Sequence, residues 1–468
     1  MAAAKSSRSA SADVFVLLPG ITGSVLRKDG KDLWALSGGA IGRGLLSLGD
    51  SIKQLTLNGD DPEAEDLGDG VTADRLIYGT TIIPKLWSID GYGPIAARLR
   101  HEFKLTPGAN FFEFPYDWRR DNRAAARRLQ RLATGWLHAW QKKQNDPDAR
   151  LVLVAHSMGG LISRYFIEVL GGWRITRHLV TLATPHCGSL NAVDFLANGY
   201  GPSVLGLRLL DLSQMLRSFT AVYQLLPIFP CIQGAKGKLA CVSETDVPNI
   251  DRPRATAAGE IYREIKRAAL ENRNDPQYQA AFRITPLVGT FQPTSQIGRI
   301  EGKGVELLGK HPDHEMLGDG TVPQTSAYPI EWKNSNEGKV LYATQRHSAI
   351  QNGDDVLANL IGDLGAFDID LGAYRGATAL ALGIPDLLST AESVTCTVSS
   401  AVELQRLFVR VENLDTGAAV HESTVNARSA LRREMMLTKL PAGSYRLTVR
   451  RPAVGKEDDV VSEVFLVM

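Results

Sequence analysis

The stretch LVLVAHSMGG at positions 151–160 constrains the fold of this chain more than any other segment. Its apolar start is typical of a buried strand, and the LISRYFIEVL that follows puts Leu161, Tyr165 and Val169 on one helical face. Between strand and helix the chain must reverse tightly, which requires small residues two positions before and two positions after Ser157. Because such a turn presents its central side chain, the segment predicts that Ser157 is a nucleophile.

This strand, turn and helix form the nucleophile elbow of an α/β-hydrolase, written here as A-x-S-x-G. Ala155 stands where glycine is usual and adds a single methyl group, a mild steric departure. The fold class that we predict is α/β: an α/β-hydrolase fold with an inserted cap or lid, followed by a small C-terminal all-β, sandwich-like domain.

A serine nucleophile of this fold is followed along the chain by an acid and then a histidine, each on a loop after a late strand. Asp319 lies in GDGTVP after a predicted strand near Val288, and His347 follows the predicted strand KVLYAT. The order Ser157, Asp319, His347 is the one required. His347 would accept the Ser157 proton and Asp319 would orient the imidazole. The backbone N–H groups of Met158 and Ile21 are the predicted oxyanion donors.

Changes in composition along the chain predict its domains. The hydrolase domain is expected over 13–370, with a glycine-rich mobile loop at about 36–69 beside the active site. A hydrophobic cap or lid insertion at about 190–280 interrupts the β-α-β rhythm. A linker at 371–395 leads to short alternating runs over 396–468 that predict the β-sandwich-like domain.

The 468 residues carry 52 Lys and Arg against 51 Asp and Glu, so bulk charge gives no reason to expect a nucleic-acid partner. The N-terminal segment reads as neither a signal peptide nor a membrane span, and a cytoplasmic location, with peripheral membrane contact left open, is expected. Four scattered cysteines predict no disulfide scaffold, although pairing of Cys231 with Cys241 stays open. No cofactor is expected, and the HPDHE segment at 311–315 is interpreted as a solvated loop rather than a metal site.

Two further motifs receive structural interpretations. PYDWR at 115–119 is expected to pack an aromatic pair and a charge pair behind the site. A run of six arginines begins with the last residue of this motif. It is interpreted as a solvated helix face balanced by acids elsewhere. The six arginines are Arg119, Arg120, Arg123, Arg127, Arg128 and Arg131.

Several motifs together resemble the lecithin:cholesterol acyltransferase-like family, which includes lysosomal phospholipase A2 and phospholipid:diacylglycerol acyltransferase. The resemblance covers roughly 13–365 and rests on six elements in the family's order. They are PG-x-x-GS-x-L at 19–26, PYDWR at 115–119, AHSMGG at 155–160, ATP-x-x-GS at 183–189, GDGTV at 318–322 and His347. The chain departs from the family at Ala155, in lacking the cysteine pair that staples the lid loop of secreted members, and in its β-tail.

The resemblance implies action on acyl esters of lipids, with family triad and oxyanion roles on Ser157, Asp319, His347, Ile21 and Met158. The hydrophobic insertion favours a lipid acyl ester, because a long acyl chain needs an apolar trough. Hydrolysis and acyl transfer both stay open, since they share one acyl-enzyme. The alternatives are an esterase or thioesterase for small soluble esters and a catalytically silent scaffold. The lid is expected to touch membranes transiently, and the C-terminal β domain to offer a site for a protein partner.

Overall fold

The computed structural model describes most of the chain. The described residues are 11–34, 52–83, 87–200, 203–204, 207–208, 211–234, 237–309, 317–332, 337–365, 380–390, 393–437, 439–452 and 458–468. The HPDHE segment, the first half of the predicted mobile loop and most of the first half of the predicted linker lie outside them.

A six-stranded parallel sheet forms the centre of the hydrolase region. Its strands are nearly continuous apolar runs, as expected when both faces are covered. In spatial order they are Leu341–Ala343, Arg283–Gly289, Thr176–Leu182, Leu151–His156, Val14–Leu18 and Phe111–Glu113. Because parallel strands end at one edge, the loops after them meet there, and Ser157 follows a central strand.

Helices cover both faces of this sheet. The longest of the described helices is Asn122–Gln144, and it buries Leu129 and Leu137. Asp121 precedes it as the N-cap, and its side chain accepts a hydrogen bond from the Arg123 N–H. The other helices that flank the sheet are Gly93–Phe103, Met158–Arg164 with the π-helical Tyr165–Val169, and Asp354–Gly365.

An insertion separates two neighbouring core strands, Thr176–Leu182 and Arg283–Gly289. Many of its apolar side chains are buried, whereas Leu270 is 46% exposed. Its helices are Leu190–Ala197, Ser213–Ser218, Thr220–Tyr223, Arg252–Ala258, Glu260–Asn272 and Pro276–Ala281. Its strands are Ser203–Val204, Leu207–Arg208, Ile232–Gln233 and Leu239–Ala240.

Smaller sheets decorate the hydrolase region. Ile232–Gln233 pairs in parallel with a later hairpin, Ile297–Glu301 and Gly304–Leu308. Near the N-terminus lie a three-stranded sheet and a hairpin. Their strands are Ser24–Lys28, Lys31–Trp34 and Val71–Leu76, and Thr81–Ile83 and Trp87–Ile89.

Where the structure describes it, the C-terminal region consists of β-strands and their connections, as predicted. Apart from the parallel pair of Leu387–Leu388 with Asp459–Val467, its strands pair antiparallel, and they bury their own apolar cluster. The strands are Leu380–Gly383, Leu387–Leu388, Thr395–Asn413, Ala419–Met436, Gly443–Arg451 and Asp459–Val467. We call these strands the β module. Val464 and Leu466, on its last strand, also join the core cluster of the hydrolase region.

The segments with defined positions contain no helix that is both long and apolar enough to cross a membrane.

Candidate active site

The structure brings Ser157, His347 and Asp319 together at the carboxyl edge of the central sheet. His347 Nε2 lies 2.9 Å from Ser157 Oγ, and His347 Nδ1 lies 2.7 Å from Asp319 Oδ2. Since a carboxylate can only accept, the Nδ1–H donates to Asp319, and Nε2 is left to accept from the serine hydroxyl. Asp319 is 1% exposed, and Ser157 is 5% exposed. Three side chains from distant parts of the chain thus form one hydrogen-bonded array.

The elbow holds Ser157 in a sparsely populated backbone conformation, with φ of 51° and ψ of −124°. Its neighbours leave no room for side chains: a Cβ on Gly160 would lie 1.9 Å from Thr184 Oγ1, and one on Gly159 would lie 2.4 Å from the Pro19 carbonyl oxygen. Ala155, by contrast, is fully buried in the strand that enters the turn. The strained turn needs both glycines, whereas position 155 accommodates a methyl group.

Asp319 is fixed by the backbone of its own loop. Its Oδ1 accepts hydrogen bonds from the Thr321 and Val322 N–H groups at 2.9 and 2.7 Å. Its carbonyl oxygen accepts from the His347 N–H at 2.9 Å. With Oδ1 occupied in this way, Oδ2 is the oxygen that faces His347.

The loop at 19–24 passes beside Ser157, so closely that a Cβ on Gly20 would lie 2.8 Å from Ser157 Cβ. The PYDWR aromatics hold this loop: Tyr116 Oη donates to the Pro19 carbonyl at 2.9 Å, and Trp118 Nε1 donates to the Ser24 carbonyl at 3.0 Å. Ile21 in this loop lines the cavity in front of Ser157, and Met158 is the first residue of the elbow helix. The motif expected to pack behind the site therefore also positions the loop that carries Ile21.

Tyr92 and His156 link the same loop to His347, and sequence reasoning missed both. Tyr92 Oη accepts from the Gly20 N–H at 2.7 Å and lies 2.8 Å from His156 Nδ1, while His156 Nε2 lies 3.2 Å from the His347 carbonyl. Burial, assisted by the neighbouring His347, holds the pKa of His156 well below its usual value. The ring is therefore neutral, its Nε2–H donates to the carbonyl, and Tyr92 donates to Nδ1.

A cavity of about 180 Å³ opens onto Ser157 and His347. One part of its lining is apolar and comes from the loop at 19–24, the insertion and the loop that carries Asp319. The members that define this wall are Ile21, Pro185, Phe195, Val222, Leu225 and Val322. The other part is polar and includes Asp194, Arg346, Asp386 and Glu463. Asp386 and Glu463 belong to the C-terminal region, and no local sequence motif predicted that this region lines the cavity.

The prediction of a solvated arginine face is wrong for its first two members. Arg119 is fully buried and Arg120 is 6% exposed. Arg119 pairs with Asp117 and Asp69, and Arg120 binds the carbonyls of Asp61, Ala64 and Glu65. These arginines fasten residues 52–69 to the hydrolase body instead of facing solvent.

The structure also places His186 and the four cysteines, which are further side chains that could carry chemistry. His186 is buried and lies 3.3 Å from Thr181 Oγ1, and burial holds its pKa well below the usual value. Cys187, Cys231, Cys241 and Cys396 are free thiols. Within the described segments no group of three or more His, Cys, Asp or Glu residues could hold a metal ion.

The sheet order, the strained serine turn and the placement of the acid and histidine after late strands define an α/β-hydrolase fold. The family model of lecithin:cholesterol acyltransferase matches residues 100–279, which confirms the resemblance over the part of the chain that carries PYDWR, the elbow and ATP-x-x-GS. Ile21, Asp319 and His347 lie outside the matched segment.

Comparison with curated proteins gave no match. Among solved structures, a chain of the Tle4–Tli4 complex is similar at 15% identity and a TM-score of 0.46, covering 76% of this chain and 98% of that one. The mature lipase BlEst2 of Bacillus licheniformis shows 12% identity and a TM-score of 0.30 over 75% and 91% of the two chains. Phospholipase PlaB of Legionella pneumophila shows 10% identity and a TM-score of 0.29 over 83% and 88%.

Proposed function

We propose that the protein is a serine-dependent lipid acyl hydrolase or O-acyltransferase. The observation that carries the proposal is the Ser157–His347–Asp319 array, at hydrogen-bonding distances, beside a cavity with an apolar wall. The match to an acyltransferase family supports the acyl ester as substrate class.

In the proposed reaction, Ser157 Oγ attacks the carbonyl carbon of the ester while its proton passes to His347 Nε2. Asp319 stabilises the imidazolium through Nδ1–H, and the N–H groups of Ile21 and Met158 stabilise the oxyanion. The ester C–O bond then breaks and the leaving alcohol takes the proton from Nε2. Water or an acceptor alcohol then attacks the acyl-Ser157 ester and gives its proton to His347 Nε2. His347 returns this proton to Ser157 Oγ as the bond between Oγ and the acyl carbon breaks, which releases a fatty acid or a new ester and regenerates Ser157.

The test is mass spectrometry of liposomes of mixed phospholipid and neutral glyceride, with and without a sterol or diacylglycerol as acceptor. Wild type should produce fatty acid or new acyl ester, whereas Ser157→Ala should produce neither. Ser423→Ala, a serine in the β module, is the matched control and should behave as wild type. If neither product depends on Ser157, the proposed lipid chemistry is wrong.

Acyl chain length separates a lipid substrate from a small soluble ester. Each methylene buried against the apolar wall contributes about 0.8 kcal/mol, or about fourfold in kcat/KM, until the wall is filled. For a series of p-nitrophenyl esters from acetyl to decanoyl, kcat/KM should therefore rise steeply with chain length. A flat or falling series would favour the esterase or thioesterase alternative.

A fluorophosphonate probe tests the nucleophile without any choice of substrate. Wild type should be labelled at Ser157 and Ser157→Ala should not. Absence of labelling in folded wild type would favour a catalytically silent scaffold.

A further inference from the structure

The β module contacts the segment 345–348 on both sides of His347. Gln345 Nε2 donates to the Val460 carbonyl at 2.9 Å, and Gln345 Oε1 accepts from the Ser462 N–H at 3.3 Å. One side-chain amide thus binds the backbone of Asp459–Val467 as a neighbouring strand would. Gln345 is 3% exposed, so this pairing is buried.

Glu463 reaches the two residues next to His347. Its Oε1 accepts from Ser348 Oγ at 2.8 Å, and its Oε2 pairs with Arg346 Nε. The carboxylate is 2% exposed, and it also lines the cavity in front of Ser157. A single buried acid of the β module therefore bridges the residues before and after the histidine.

A second strand of the β module fastens the same region. Arg346 Nη1 donates to the Leu382 carbonyl at 2.9 Å. The buried amide of Gln292 donates to the Leu380 carbonyl and accepts from the Leu382 N–H, both at 3.2 Å, and it also donates to the Thr344 carbonyl. The histidine loop is thus held by two separate strands of the β module.

We infer that the β module is a structural part of the active site and that Glu463 is a positioning residue for His347. The inference rests on the proposed function, because positioning matters only if His347 accepts the Ser157 proton. Displacement of a reacting group by about 1 Å can reduce turnover by about a hundredfold. A carboxylate that fixes both neighbours of His347 restrains such displacement.

Glu463→Gln is the informative variant, because its size is unchanged. Its amide oxygen can keep the bond from Ser348, but its NH₂ then faces Arg346 Nε, so that two donors oppose each other and Arg346 loses its counter-charge. We expect kcat and the rate of fluorophosphonate labelling of Ser157 to fall at least tenfold, with KM within about threefold of wild type. Glu422→Gln is the matched control: it changes the same charge in the same module, in an exposed pair with Arg410, and should label as wild type.

Thermal unfolding monitored by circular dichroism separates positioning from stability, and all rates are measured well below the lowest midpoint. Ser348→Ala removes the hydrogen bond on the other side of His347 and leaves the Arg346–Glu463 pair intact. It is the milder second variant and should lower the labelling rate by less than Glu463→Gln does. If Glu463→Gln has a lower midpoint of thermal unfolding yet is labelled at the wild-type rate, the inference is overturned and Glu463 is a purely structural acid. Failure of wild type itself to label would instead contradict the proposed function.

Discussion

Replacing Asp319 by Asn tests the proposed array most sharply, because the surrounding backbone dictates how the new side chain must sit. The Thr321 and Val322 N–H groups, at 2.9 and 2.7 Å from Oδ1, require an acceptor there. The Asn oxygen must occupy that position, so its NH₂ takes the place of Oδ2 and points at His347 Nδ1. An imidazole that accepts at Nδ1 carries its proton on Nε2, where it cannot take the proton of Ser157.

Loss of the correct tautomer in this arrangement lowers kcat by about 10⁴-fold, which corresponds to about 5.5 kcal/mol of transition-state stabilisation. We expect Asp319→Asn to show this loss on a soluble p-nitrophenyl ester with nearly unchanged KM, because the cavity keeps its shape. Asp415→Asn, on an exposed turn of the β module, serves as the control. If Asp319→Asn kept activity within tenfold of wild type while its circular dichroism was native, Asp319 would not be the group that orients His347.

Three other perturbations have definite expected outcomes. Tyr92→Phe leaves the Gly20 N–H without its buried acceptor. It should lower the free energy of unfolding, measured by urea denaturation, by about 1–3 kcal/mol, and it should also lower the labelling rate. An unchanged free energy of unfolding would contradict this. Glu331→Gln removes one of two buried counter-charges of Arg164, 2.7 Å away, while Glu168 stays paired with it at 2.8 Å. The free energy of unfolding should fall by about 1.5–3 kcal/mol in the same assay, because a hydrogen bond between charged groups is weakened, and an unchanged value would contradict this. Burial lowers the pKa of His178 from 6.5 to about 4, so between these pH values the unfolded chain binds a proton that the folded chain does not. The free energy of unfolding should therefore fall by about 3 kcal/mol as pH drops through this window, and wild type should lose more stability there than His178→Gln; parallel pH profiles would refute the assignment.

The parts of the site that follow from local rules were predictable from the sequence. A strand, a turn of small residues and a helix identify Ser157, because that geometry is encoded within ten consecutive positions. Asp319 and His347 follow from chain order, since parallel strands bring their exit loops to one edge. In the structure Ser157 and Asp319 each lie within hydrogen-bonding distance of His347.

The supporting contacts were not predictable, because they join residues far apart in the chain that carry no shared pattern. Tyr92 meets Gly20 across 72 positions, and Glu463 meets Ser348 across 115. Arg119 has an amphipathic helix beside it, which predicted a solvated face, yet residues 52–69 fold over it and bury it. Periodicity reports which side of a helix is polar, but it does not report which distant segment covers that side.

The Arg346–Glu463 pair is better explained by geometry than by stability. Taking two charges from water costs several kcal/mol each, and well-packed apolar residues would often stabilise such a position at least as well. The hydrogen bonds of a charged pair require a defined geometry, however, and here the same carboxylate also accepts a hydrogen bond from Ser348. Apolar side chains would hold the two surfaces together without fixing the rotation of the loop between them. His347 lies between these two contacts, so we interpret the buried pair as a means of setting the histidine's orientation from the β module.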